Sequence, residues 1–158
     1  MMERSAEHGT QTNENSLRIL SKVIVGKLEN AKMIEFNPAN RNDLREAFYR
    51  LLNNFMLTEQ GLVNQVRGEI EAKMGKISDA ELTQTEAFKM RKRALKEQYE
   101  DNKIVGFYLK TSLKDLATKA GDFFLRNSLV EEVFADDDEM RKLVLTSIST
   151  FDESKVAT

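Results

Sequence analysis

Cysteine is absent from the 158 residues, which removes disulfide frameworks, thiolate zinc sites, iron–sulfur clusters and cysteine nucleophiles together. Histidine is almost absent too. The single copy, His8, stands in a polar N-terminal stretch, so a Ser–His or Cys–His arrangement and a histidine metal site have no place in the folded part. One proline and seven glycines leave little material for tight turns. No apolar run approaches the roughly 20 residues that span a bilayer; Ile104 to Leu109 is among the longest and contains Gly106. The first fifteen residues lack the apolar core of a secretory signal, and a cytoplasmic location without membrane attachment is the expectation. Charge of one sign is lacking as well. Lys and Arg number 24 against 26 Asp and Glu, a net charge of −2, without the basic field that duplex nucleic acid selects.

What is present is helix-forming material: leucine, glutamate, lysine and alanine abound. A chain of this length buries roughly 70% of its unfolded surface and needs no staple. Residues 1–14 carry no hydrophobic period and read as a disordered tail. From Asn15, a candidate cap, Leu17, Leu20, Ile24, Leu28 and Ala31 recur at helical steps and predict a helix ending near Asn30. Met33 to Phe36 is short, apolar and β-friendly, and Pro38 keeps Asn37 out of a helix. Asn40 with Asp43 then predicts a capped helix whose face is Leu44, Phe48, Leu51, Leu52 and Phe55.

After Gly61, Leu62, Val66, Ile70 and Met74 stand four apart, and Gly75 closes that third helix. Ser78 with Glu81 is a capping box that opens a charged helix of about six turns, Asp79 to about Lys103. Ile104 to Leu109 is either its continuation or an extended piece broken at Gly106. Ser112 with Asp115 caps a further helix with the face Leu113, Leu116, Ala120 and Phe124.

A shift of 96 places lays residues 16–55 over 112–151. Ser16, Leu17, Leu20, Glu35, Arg45 and Phe55 meet the identical Ser112, Leu113, Leu116, Glu131, Arg141 and Phe151. The punctuation agrees: Met33–Ile34 matches Leu129–Val130, and Asn40 with Asp43 matches Asp136 with Glu139. The expected architecture is therefore all-α, a helical bundle of two pseudo-repeated helix–turn–helix pairs joined by a long charged helical connector over 61–111, forming one domain over 15–155.

The repeated order of helix, apolar pair, glutamate, polar turn and capped helix, closing with Leu129 to Lys142 (LVEEVFADDDEMRK), resembles the bacterial domain of unknown function 507 family. The resemblance covers about residues 16–155. It implies no activity, cofactor or site residue.

Catalytic and metal chemistry find little support. Asp136, Asp137, Asp138 and Glu139 are contiguous and no glycine follows, unlike a calcium loop with its alternate ligands; they read as a cap and an acidic first turn. Gly61, Gly68 and Gly75 do not follow a strand as a phosphate loop requires. Phenylalanines such as Phe48, Phe55 and Phe124 fall at helical spacing and read as core. No cofactor is expected.

The distinctive surface feature is basic. Lys89, Lys92, Arg93 and Lys96 fall within an arc of about 100° on a helix, with Phe88, Leu95 and Tyr99 beside them. Glu86, Glu97 and Glu100 are placed to pair with this stripe along the same helix. As a solvated helix back the stripe only solubilises; as a contact surface it takes an acidic protein, with Glu131 to Glu139 of a second copy as one candidate. The expected function is a non-enzymatic helical protein–protein interaction or assembly module. The alternative is a nucleic-acid-binding protein that uses the same stripe.

Overall fold

The computed structural model describes residues 12–99, 103, 104, 106–152 and 154, with the side chains of 79 and 103 excepted. His8 and residues 1–11 lie outside that range. Among the described residues the protein is an all-α helical bundle with short antiparallel strands. Its elements are α1 (Glu14–Asn30), β1 (Ile34–Phe36), a 3₁₀ turn (Pro38–Asn40), α2 (Arg41–Phe55), β2 (Met56–Leu57), α3 (Glu59–Met74), α4 (Asp79–Gln84), α5 (Glu86–Gln98), β3 (Lys103–Ile104), β4 (Phe107–Leu109), α6 (Leu113–Arg126), β5 (Val130–Val133) and α7 (Asp137–Ser149). No described helix is long and apolar enough to cross a membrane.

The first helix starts earlier than the apolar period suggests. Asn13, not Asn15, is its cap: Asn13 Oδ1 accepts from the Ser16 amide at 3.2 Å, and Ser16 Oγ accepts from the Asn13 amide at 3.1 Å. That reciprocal pair satisfies two donors that Asn15 could not reach from within the first turn. Thr12, expected in the tail, is buried. Its hydroxyl donates to the Gly106 carbonyl at 2.8 Å and accepts from the Glu59 amide at 2.9 Å. The chain entering α1 thus fastens the start of α3 to the turn between β3 and β4.

The main core lies among α1, α2, α6 and α7. α1 packs on α2 and on α7, α6 packs on α7, and α2 meets α6. Leu20, Ile24, Phe48, Phe124, Val144 and Ile148 are fully buried there, each such side chain contributing about 1.5–3 kcal/mol. The Phe48 and Phe124 rings lie 4.8 Å apart in a tilted pair. β1 and β5 pair antiparallel over this core, with Ile34 opposite Val133 and Glu35 opposite Glu132. Residues 16–55 and 112–151 therefore share the order helix, strand, helix. Their punctuation differs: Asn40 sits inside the 3₁₀ turn and makes no side-chain cap, so Asn37 caps that turn through the Ala39 amide instead.

Where the sequence predicts two helices, one closed by Gly75 and one from Asp79 to about Lys103, residues 59–98 hold three. Three helices, α3, α4 and α5, build a second core from Leu62, Val66, Ile70, Leu82, Phe88 and Leu95, closed by Tyr108. The expected six-turn helix breaks at Thr85, whose backbone is extended and whose hydroxyl donates to the Leu82 carbonyl at 2.9 Å and accepts from the Phe88 amide at 3.1 Å. The reason is steric direction. On an unbroken helix Leu82 would lie on the side of Lys89, toward water; the break returns it to the side of Phe88. Met74 also departs from expectation, being 63% exposed. Gly75, at φ 81°, turns the chain back so that Ile77 packs on this core instead. The start of α3 is two residues earlier than Gly61, with the Thr58 hydroxyl accepting from the Gly61 amide at 2.9 Å.

Of the stretch from Ile104 to Leu109, Ile104 and Phe107–Leu109 are extended. Gly106 adopts φ 88°, a conformation open to glycine without a Cβ clash, and turns β3 back on β4. β4 lies between β3 and β2, with Met56 opposite Leu109 and Leu57 opposite Tyr108. This sheet carries Tyr108 from the main core's edge into the second core.

Candidate functional site

Lys89, Lys92, Arg93 and Lys96 all lie on α5 and line one shallow groove together with Phe88 and Glu97. The groove has a volume of about 380 Å³. Phe88 is buried at its base, and the Lys92 ammonium stands 5.7 Å from that ring's centre, within reach of its negative face. Exposed Met90 lies next to the stripe by helical position.

The four cations divide into two pairs. Lys92 and Lys96 both reach Glu59 of α3, at 3.4 and 3.5 Å from Oε2. The other oxygen of that carboxylate accepts from the Tyr108 hydroxyl at 2.8 Å. Only 18% of the Glu59 side chain is exposed, which decides its character. Burial pushes its carboxyl upward, yet the Tyr108 hydrogen bond and the Lys96 and Lys92 charges outweigh burial and hold it below the usual carboxylate range. Glu59 is thus an ionised anchor for α5, and the opposite of a general acid. Lys89 and Arg93, by contrast, are exposed and make no ion pair among the described residues.

The expected pairing along α5 does not occur among the described residues: neither Glu86 nor Glu97 forms an ion pair with the stripe, and Glu100 lies outside them. The charges pair across helices instead. Arg91 grips Glu69 of α3 through two bonds, 2.6 and 3.3 Å long, and this pairing lowers the Glu69 carboxyl. Sequence reasoning missed Glu59 and Tyr108 because they are 49 residues apart and neither belongs to a local motif.

The acidic cluster is a helix cap. Asp136 Oδ1 accepts from the Glu139 amide at 2.8 Å and Glu139 Oε1 accepts from the Asp136 amide at 3.0 Å, while Asp138 pairs with Arg141. Among the described residues no group of histidine, aspartate or glutamate is arranged to hold a metal ion.

The model of a family described as Protein of unknown function (DUF507) matches residues 11–157, nearly the whole chain. The chain belongs to this family. The match begins at the residue before Thr12, so it takes in the Thr12 anchor and both cores of this DUF507 protein. No curated protein and no solved structure is similar to it at a significant level.

Proposed function

We propose that this DUF507 protein is a non-enzymatic interaction module in which the exposed face of α5 binds an acidic protein surface. The observation that carries this reading is the division of the stripe. Glu59 consumes part of the charge of Lys92 and Lys96 and fixes where they stand. Lys89 and Arg93 remain beside them as exposed cations without an ion pair among the described residues. A fixed, part-neutralised rim next to two available cations suits carboxylates, which Arg93 can receive in a bidentate fork.

The net charge of −2 works against a long polyanion, which would have to approach the acidic remainder of the molecule. A cytoplasmic setting forms part of this proposal.

Fluorescence anisotropy with a labelled peptide rich in aspartate and glutamate and carrying one phenylalanine tests it. The wild type binds the peptide, and Lys89→Glu with Arg93→Glu weakens binding by about tenfold or more, as loss of a close charge pair does. A duplex DNA probe serves as the competing class. Equal binding of the peptide by wild type and variant, or DNA binding that outcompetes the peptide and falls steeply with salt, contradicts the reading.

A further inference from the structure

Resting on that reading, we infer that the acidic surface which α5 receives is carried by a second copy of this chain, on the ribbon formed by β1 and β5. Glu35 and Glu132 stand directly opposite each other in the antiparallel ladder, and both are exposed. Like charges opposed across strands repel. Neither has an ion pair among the described residues, so within these the repulsion is uncompensated and an incoming cation would relieve it.

The ladder continues one step beyond β5, where the Phe134 amide donates to the Met33 carbonyl at 2.8 Å. Residues two apart on a strand share a face, which puts Phe134 on the side of Glu132 and its partner Glu35. Phe134 is 64% exposed. An exposed phenylalanine beside carboxylates that make no ion pair among the described residues is the complement of Met90, 63% exposed, beside Lys89 and Arg93. Both charge and apolar contact match between the two surfaces.

The groove is on α5 of the second core and the ribbon lies over the main core, so the contact joins unlike surfaces. Repeated head to tail, such contact gives open chains or a ring; made twice between the same two copies, it closes a two-fold dimer.

Sedimentation velocity on the full chain tests this with two variants that disable opposite surfaces. One is Lys89→Glu with Arg93→Glu; the other is Glu132→Lys with Phe134→Ser. The wild type forms larger species as concentration rises at low salt, and these dissociate at roughly 0.5 M salt, where screening is strong. Each variant alone stays monomeric. Their equimolar mixture forms a one-to-one dimer and nothing larger, because one intact groove meets one intact ribbon. Circular dichroism of each variant verifies that it is folded. A wild type that stays monomeric throughout, or a mixture of folded variants that does not pair, overturns the inference. Peptide binding that persists in that case leaves the α5 reading standing, whereas loss of both removes the two together.

Discussion

Tyr108 donates its hydroxyl hydrogen to Glu59 at 2.8 Å and so ties the β3–β4 hairpin to the first turn of α3. Lys92 and Lys96 complete the tie from α5. Glu59→Gln removes the charge that three groups were placed to meet, and a loss of about 1–2 kcal/mol at pH 7 is expected, the range for hydrogen bonds to charged groups after allowance for partial exposure. The sign with pH follows from the lowered carboxyl. The stabilisation is fully present above the unfolded carboxyl value, about 4.3, and is lost as pH falls through the lower folded value. Urea unfolding of wild type and variant should differ at pH 7 and converge in strong acid.

The two pairs of basic residues should differ in their response to charge reversal. Lys92→Glu with Lys96→Glu sets two carboxylates against Glu59, and the melting temperature should fall by roughly 3 °C or more, as a loss of about 1 kcal/mol gives at this size. Lys89→Glu with Arg93→Glu should leave it within about 1 °C, as surface substitutions do. Equal melting of the two variants would show that the Glu59 tie carries no stability. Reversing all four charges together would confound the two effects.

Local rules recovered part of the local structure, although Asn13 and not Asn15 caps α1 and Asn40 makes no side-chain cap. The Ser78–Glu81 and Asp136–Glu139 capping boxes form as their spacing implies, and Gly75 ends α3. The stripe was legible because four cations at helical spacing need only the helix to come together. Its division was not, since Glu59 arrives from another helix and Tyr108 from a three-residue strand. The break at Thr85 was hidden for a related reason: a threonine hydroxyl can compete with the helix for backbone partners, but here the gain is the burial of Leu82 in a core the sequence does not display. The 96-residue offset matches element order in 16–55 and 112–151, yet α1 ends in a left-handed residue and α6 in an extended one. A common origin of the halves stands as a proposal on that order alone.

Lys32 is the left-handed residue in question, at φ 60°, where the Met33 amide donates to the Leu28 carbonyl at 2.9 Å. Glycine is usual at this place in a helix ending because a Cβ there costs about 1–2 kcal/mol. Lys32→Gly should therefore stabilise by about 0.5–1 kcal/mol once the greater freedom of unfolded glycine is subtracted. A decrease in the urea midpoint would contradict the role given to this residue.

Gly121 of α6 faces α7: a Cβ there would meet the Met140 Cβ at 3.9 Å, an ordinary contact. Gly121→Ala should accordingly be tolerated, gaining up to about 1 kcal/mol of helix propensity. Gly121→Leu has no room between the helices and should cost about 1–3 kcal/mol. Thermal melts that rank the two variants in the reverse order would contradict the packing described.

Amide chemical-shift mapping during titration with the acidic peptide tests most directly whether α5 presents a binding face. Perturbations should centre on Lys89 and Arg93, extend to Met90 and the Lys92–Lys96 rim, and vanish in the Lys89→Glu, Arg93→Glu variant. Perturbations that centre elsewhere, or that persist unchanged in that variant, would contradict a binding face on α5.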